Sequence, residues 1–281
     1  MVHPFQRPVI LLTSSDGVEA TLRQSLHPPF MLTRVQNWAE LRDTLSDATP
    51  SALCLLDGMI GDDGDRGLSE SLREATREFP HIPFVACLEI DPTRCSESLV
   101  ALQDWGISEV LDFRRERSVG AIKRRLASVK NAWAHRIFES VLPPALSTRG
   151  TVLLSAAAGV AAEGGHVPEL AERLGIDERT VPRWCAAAGV PNARRLLAWI
   201  RLLFAADLLD RSSHSFEFIA RHAGYASAAS LKSTTKQFTR LTPTELRLRG
   251  AFLIVADLFR AELREARDEL QGRQRRNAWF N

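Results

Sequence analysis

Residues 215–243, which read SFEFIARHAGYASAASLKSTTKQFTRLTP, decide the architecture of the C-terminal half of this 281-residue chain. The stretch predicts a short helix that ends at Gly224, because glycine takes the left-handed conformation that closes a helix without steric cost. Ser227 then offers its side chain as the cap of a second helix. A short helix, a tight glycine turn and a second helix form the unit whose second helix can enter a major groove of DNA.

A second stretch, residues 167–189, has the same organisation and reads VPELAERLGIDERTVPRWCAAAG. Asp177 is expected to cap its second helix. Pro182 falls inside that helix, where it removes a backbone donor, and we expect it to kink the helix. The sequence therefore predicts two helix-turn-helix units in tandem.

Together the two stretches resemble the C-terminal domain of AraC-type transcription regulators. The motif residues of the second unit stand in register with the family, without an insertion: Ile219-Ala220, Gly224-Tyr225, Ser227, Lys236, Thr242-Pro243 and Leu246-Arg247. The helix that connects the units in the family is matched by Ile200-Arg201-Leu202, Ala205-Ala206 and Leu208-Leu209. The resemblance covers more than a quarter of the chain and implies an all-α double helix-turn-helix domain that binds double-stranded DNA in the major groove.

The chain also departs from the family pattern. Leu231 and Thr235 stand where the family usually has phenylalanine, and Arg240 stands where it usually has glycine. Domain identity survives these changes, but base preference cannot be carried over from a relative. Arg201 in the connecting helix has two open roles, since it could brace the two units or contact phosphate.

The outward positions of the first unit are predicted to read bases. Helical spacing leaves three residues pointing outward: Arg179, Pro182 and Arg183. Arginine suits guanine through its paired donors, so Arg179 and Arg183 are the candidates for base contacts. The alternative for each arginine is a phosphate contact, which positions the protein without specifying sequence.

The outward positions of the second unit are expected to read sequence more permissively. They are Ala228, Ala229, Ser230, Lys232 and Ser233, followed by Lys236. Alanine can contact a thymine methyl group but cannot form a hydrogen bond to a base. The two lysines are therefore expected to contact mostly phosphate.

The first 117 residues alternate between apolar runs of strand length and helical segments. The strands are predicted at Pro8–Thr13, Phe30–Val35, Ala52–Leu56, Pro83–Leu88 and Glu109–Phe113. Short apolar strands that alternate with helices indicate a parallel sheet covered on both faces. The pattern resembles a receiver domain of two-component response regulators, a flavodoxin-like, doubly wound α/β fold with five parallel strands.

Asp57 closes the third predicted strand, where receivers carry the aspartate that accepts phosphate. The other receiver positions are replaced: Thr13 and Ser14 stand for the acidic pair, Cys87 or Leu88 for the hydroxyl residue, and Asp112, Phe113 and Arg114 surround the place of the lysine. Phosphoryl transfer to a carboxylate needs a divalent cation held by hard oxygen ligands. We therefore expect a degenerate receiver that works through protein contact, with a phospho-switch at Asp57 as the alternative.

The segment between the two domains predicts one long helix over Ser118–Val141. Its apolar residues recur at spacings of three and four: Val119, Ile122, Leu126, Val129, Trp133 and Ile137. Two interpretations stay open, a coiled coil that couples the two chains of a homodimer or, for the early part, the fifth receiver helix packed on its own sheet. A last amphipathic helix over Ala251–Leu270 is expected to pack within the chain rather than on a partner.

These assignments divide the chain into residues 1–117, a receiver-like domain; 118–145, a connecting and possible dimerisation helix; 146–250, the DNA-binding domain; and 251–281, an amphipathic helix with a basic tail. Residues 1–117 carry 19 acidic and 11 basic side chains, whereas residues 146–281 carry 20 basic and 14 acidic ones. An acidic sensor joined to a basic DNA-binding domain fits this asymmetry.

Several classes of function lack a sequence signal. No phosphate-binding glycine loop, metal motif or nucleophile set stands out, so we expect no cofactor, no metal and no enzyme. The acidic loop Gly58–Asp65 lacks the ligand spacing of an EF-hand and is expected to be solvated. Cys54 and Cys87 lie in apolar runs and are expected to be buried free thiols. Without a signal peptide or a long apolar run, we expect a cytoplasmic protein with no membrane contact.

The sequence therefore predicts a sequence-specific DNA-binding transcription regulator of AraC type, controlled by a receiver-like domain that does not depend on phosphorylation. A homodimer is expected, and RNA polymerase is a further partner that the resemblance implies. Two alternatives stay open, a phospho-switched response regulator that uses Asp57 and a protein-interaction adaptor whose DNA contacts have weakened.

Overall fold

The computed structural model describes residues 7–27, 30–48, 52–57, 69–88, 96–113, 115, 118–129, 132–142, 146–211 and 214–279. The chain forms two compact units, Met1–Trp133 and Ala134–Asn281. The acidic loop 58–65, Cys95 and the prolines at 143 and 144 lie outside the described residues, as do the side chains from residue 273 onward.

The N-terminal unit is a parallel sheet covered by helices. Its elements are β1 (Arg7–Leu12), α1 (Asp16–Ser25), β2 (Phe30–Val35), α2 (Trp38–Asp47), β3 (Leu53–Asp57), α3 (Glu70–Glu78), β4 (Phe84–Leu88), α4 (Ser96–Asp104), β5 (Glu109–Asp112) and α5 (Val119–Val129). The five strands are all parallel and lie in the order β2-β1-β3-β4-β5. This is the flavodoxin-like doubly wound order, so the predicted fold of this half is confirmed.

The core of this unit explains why its central strands β3 and β4 are apolar runs rather than alternating ones. Every residue of β4 is buried, as are Leu53–Leu56 of β3, because both faces of a central parallel strand are covered by helices. Cys54 and Cys87 are buried free thiols, as predicted. Burial raises the pKa of both thiols well above its usual range, so both stay protonated and unreactive.

The structure describes two helices within the predicted helix over Ser118–Val141. They are α5 and α6 (Ala132–Glu139), with residues 130 and 131 outside the description. Ile122, Leu126 and Val129 belong to the core cluster of the N-terminal sheet. The early part is therefore the fifth receiver helix, and these residues cannot form the seam of a coiled coil.

The C-terminal unit is all helical, as predicted. After α6 it contains α7 (Thr148–Ala162), α8 (Val167–Leu174), a 3-10 turn (Glu178–Thr180), α9 (Val181–Ala188), α10 (Ala193–Arg211), α11 (Phe216–His222), α12 (Ala228–Thr239), α13 (Pro243–Arg249) and α14 (Ala251–Trp279). Helix α10 is the central element, and residues Leu202–Leu209 on it are all buried. An apolar residue on every side is the pattern of a helix enclosed by others.

Helix α14 packs on α10, and its predicted intramolecular role is confirmed. Val255, Phe259 and Leu263 are buried on its inner stripe. The ring of Phe259 lies 5.9 Å from that of Trp199 on α10 and 6.2 Å from that of Phe138. Among the described residues, no helix is both long and apolar enough to cross a membrane.

Candidate nucleic-acid interface

The first helix-turn-helix unit is built from α8, a left-handed glycine and a capped recognition element. Helix α8 ends at Gly175 with φ of 64°, a conformation that glycine takes without strain. The Asp177 carboxylate accepts a hydrogen bond from the backbone N–H of Arg179 at 2.8 Å. The predicted cap therefore starts a 3-10 turn, and α9 follows it directly.

The expected kink at Pro182 is wrong. Because the first turn after Asp177 is a 3-10 turn, α9 begins only at Val181, and Pro182 lies in the first turn of that helix. Backbone donors in a first turn have no partner within the helix, so a missing donor costs nothing there, and the fixed φ of proline suits the position.

The recognition element of the first unit is anchored by its inner face. Val181 and Cys185 are buried, with exposed fractions of 0% and 1%. Burial raises the pKa of the Cys185 thiol to about 11, so this side chain serves packing rather than chemistry. Arg179, Pro182 and Arg183 are exposed on the opposite face, where the sequence placed them.

Arg149 joins this element and was missed by the sequence reasoning. Its guanidinium carbon lies 5.4 Å from the ring centre of Trp184, which directly follows Arg183. Helix α7 packs against α9, so a residue distant in sequence adds a cation beside the recognition element. No local pattern could have revealed a contact that depends on two helices meeting.

The second unit has the predicted glycine turn and caps. Ser215 caps α11 by accepting from the N–H of Phe218 at 3.2 Å, and Gly224 has φ of 78°. Ser227 accepts from the N–H of Ser230 at 3.2 Å and so opens α12. The Gly224 turn and the Ser227 cap are as predicted, whereas the Ser215 cap was not predicted from the sequence.

The outward face of α12 differs from the predicted one at its first residue. Ala229, Lys232, Ser233 and Lys236 are exposed and Ser230 is half-buried. Ala228 is only 6% exposed, so its predicted outward position is wrong. The reason is that the first turn of α12 packs on α11, where the Ala228 N–H donates to the Glu217 carboxylate at 3.3 Å.

Leu231 and Thr235, the departures from the family pattern, form the inner stripe of α12. Both are fully buried. The Thr235 hydroxyl donates to the carbonyl of Leu231 at 2.8 Å, which satisfies the only polar group that the change introduced. The smaller pair therefore maintains a packed interface without an unsatisfied buried hydroxyl.

Lys232 is held near the ring of Phe216, at the start of α11. The Lys232 ammonium lies 5.8 Å from the ring centre, and the Arg247 guanidinium lies 4.9 Å from it. The face of an aromatic ring attracts a cation, so the Phe216 ring favours rotamers that keep the Lys232 ammonium close to it.

The receiver-like unit brings Asp57 to the expected edge of its sheet, at the end of β3. Thr13 is buried, and its hydroxyl accepts from the N–H of Ser15, which itself caps α1. Cys87 pairs with Asp57 across β3 and β4, and the Asp57 charge is a secondary cause of the raised pKa of its thiol. In the described residues, no group of three or more His, Cys, Asp or Glu side chains is placed to hold a metal ion.

Comparison with known proteins identifies the C-terminal unit. Residues 170–249 match the family described as "Helix-turn-helix domain". No curated protein matches the chain. Residues 170–249 are thus an AraC-type helix-turn-helix domain, which is a DNA-binding domain of transcription regulators rather than of enzymes.

Solved structures similar to the chain are also regulators. The RcsB response regulator of Salmonella typhimurium is 19% identical, with 70% of this chain and 98% of that chain covered and a TM-score of 0.35. FixJ from B. japonicum is 15% identical, with 85% and 100% covered and a TM-score of 0.34. The xylose-binding transcription activator XylR is 15% identical, with 87% and 70% covered and a TM-score of 0.35.

Proposed function

We propose that this protein is a sequence-specific transcription regulator whose first helix-turn-helix unit reads the bases and whose second unit mainly holds the DNA backbone. The observation that carries the proposal is the exposure of Arg179 and Arg183 on a capped, rigidly anchored recognition element. Two arginines with free forked donors can each bind the two acceptors of a guanine. Ala229, Lys232, Ser233 and Lys236 on α12 offer little base-specific hydrogen bonding by comparison.

The experiment that tests this proposal is selection of duplexes from a random pool with the full chain, repeated at two salt concentrations. The salt dependence separates phosphate attraction from base contacts. We expect a two-part site whose guanine-rich half is strongly constrained. In an Arg179→Ala/Arg183→Ala variant this half should lose its constraint, because each bidentate pair supplies about 1–3 kcal/mol of discrimination.

A matched control is Arg23→Ala/Arg73→Ala, which removes two exposed positive charges from the receiver-like unit. This variant should select the same site as the unmodified chain. Equal affinity of the unmodified chain for random and selected duplexes would contradict the proposal and favour an adaptor with weakened DNA contacts.

We also propose that the receiver-like domain controls the regulator without phosphorylation. Thr13 and Cys87 occupy places where a receiver needs acidic and hydroxyl groups, and the Thr13 hydroxyl already bonds to the backbone. Phosphoryl transfer to Asp57 requires a divalent cation held by hard oxygen ligands, and neither Thr13 nor Cys87 supplies a carboxylate for it. Control through contact with another protein fits these replacements.

A homodimer and a contact with RNA polymerase complete the proposal. The apolar stripe of α5 packs in the core of its own unit. The dimer therefore needs another surface. Sedimentation equilibrium of the full chain, with and without the selected duplex, measures the stoichiometry. Single-chain mass under both conditions would contradict the dimer.

A further inference from the structure

Arg201 lies on the connecting helix α10, between the turn that precedes the first helix-turn-helix unit and the glycine turn of the second. Its Nη2 donates a hydrogen bond to the carbonyl of Gly165, in the turn that leads into the first unit. On the other side its Nε lies 3.3 Å from the point where a Cβ on Gly224 would be. Gly224 is the turn glycine of the second unit, so one guanidinium lies between that turn and the turn that leads into the first unit.

The turn of the second unit also packs against the segment that precedes the first unit. A Cβ there would lie 3.1 Å from the carbonyl oxygen of Ala161 and 3.2 Å from Cα of Gly164. Ala161 lies in the last turn of α7, and Gly164 follows it just before the first unit. The turn of the second unit therefore packs backbone to backbone against the entrance of the first, and Arg201 lies beside this contact.

The electrostatic surroundings of Arg201 come from both units as well. Burial lowers the pKa of its guanidinium, while Tyr225 of the second unit and Glu169 of the first act in the opposite direction. The Glu169 carboxylate accepts from the backbone N–H of His166 at 2.9 Å, so it is fixed at the start of α8. A half-buried arginine that bonds to one turn and packs against another restrains both of them.

We propose that Arg201 is a positioning residue that fixes the two recognition elements relative to each other, and thereby sets the spacing between the two half-sites that the protein accepts on DNA. This inference rests on the proposed function. Recognition helices that enter adjacent major grooves on one face must be about one helical turn apart, roughly 34 Å. A rigid link between them turns binding of the second half-site into an intramolecular event with a high effective concentration.

The consequence of this role differs from that of a phosphate contact. Loss of the brace lowers the effective concentration of the second unit, so affinity for the two-part site falls while affinity for the first half-site alone is retained. Loss of a phosphate contact weakens binding to every duplex that reaches the residue and reduces the salt slope by about one. The two roles are therefore separable by choice of DNA.

The test uses Arg201→Gln in the full chain, with three kinds of selected duplex: the two-part site, its first half alone, and sites with one to five base pairs inserted between the halves. We expect at least a tenfold loss of affinity for the two-part site. The affinity for the first half alone should be unchanged. The loss of affinity caused by inserted base pairs should be smaller in the variant than in the unmodified chain. Equal losses on all duplexes, or no loss on any, would overturn the positioning role.

A matched control is Arg194→Gln, which changes an exposed arginine near the N-terminus of the same helix. It should leave the spacing preference intact. Arg201→Lys is the second variant in case the glutamine variant does not fold, because it keeps a positive charge but loses the forked geometry. We expect it to give an intermediate spacing preference, and an unaltered preference would count against the brace.

The same measurements distinguish a failure of the proposed function from a failure of the positioning role. If the unmodified chain selects no sequence at all, the regulator proposal fails. If it selects a two-part site and the Arg201 variants keep its spacing preference, only the positioning role fails.

Discussion

Arg240 closes α12 in the left-handed conformation, with φ of 63°. Among the described residues, it is the only one other than glycine with a positive φ. The sequence comparison had already placed it where the family usually has glycine. An L-residue with a Cβ pays about 1–2 kcal/mol in this region, so the chain carries a local backbone strain that a glycine would relieve.

We therefore predict that Arg240→Gly stabilises the protein by about 1 kcal/mol, reduced somewhat by the greater chain entropy of glycine in the unfolded state. Urea unfolding followed by circular dichroism measures the change. Arg240→Ala is the control, since it removes the same charge but keeps the Cβ, and it should give no such gain. Equal effects of the two variants would assign the change to charge rather than to backbone strain.

Arg149 lies over the ring of Trp184, beside the first recognition element. Its position over Trp184 suits a contact with the phosphate backbone beside the first recognition element. Arg149→Ala should weaken binding by a similar factor on all duplexes and lower the slope of log affinity against log salt by about 0.9. Trp184→Leu should act in the same direction by removing the ring that orients the arginine, and a change in the selected sequence would contradict this role.

At the scale of an element, α9 explains why a proline can stand in a recognition helix. Pro182 occupies the first turn because a 3-10 turn precedes the helix. Pro182→Ala should therefore change the free energy of unfolding by less than about 1 kcal/mol.

The contrast is Ala186→Pro in the same helix, which removes an internal hydrogen bond and should cost about 3 kcal/mol. Thermal unfolding of both variants tests the assignment. A large stabilisation by Pro182→Ala would mean that the proline strains the helix after all.

Helix α12 shows which features of a helix its sequence pattern predicts and which it does not. Gly224 and Ser227 bound the helix through local backbone and side-chain chemistry, so the sequence was sufficient for them. Ala228 was misplaced because alanine suits either face, and its burial depends on how α11 meets α12. Bounds of an element are local properties, whereas the orientation of a small residue depends on its neighbours.

At the scale of the whole molecule, two units of opposite charge balance follow each other along the chain. The strand order of the first unit places Asp57 at the edge of its sheet, beside Cys87 on the neighbouring strand. The proposed regulation by contact would leave DNA binding independent of this carboxylate.

We predict that Asp57→Asn leaves the affinity of the full chain for its selected duplex unchanged, within about twofold. A small-molecule phosphodonor with Mg²⁺ should likewise have no effect on the unmodified chain. Mass spectrometry of the intact chain measures phosphate uptake. Substantial uptake that disappears in the Asp57→Asn variant would instead support the phospho-switch.

The sequence by itself determined the two folds, because apolar strand runs, glycine turns and side-chain caps act within a few residues of one another. It also determined the exposed arginines of the first recognition element, which follow from helical spacing. Only the tertiary structure decided that the apolar stripe of α5 packs on its own sheet and that Arg149 lies beside α9. It also decided that Arg201 lies between Gly165 and the Gly224 turn. These contacts join residues far apart in the chain, and their geometry depends on how whole helices pack.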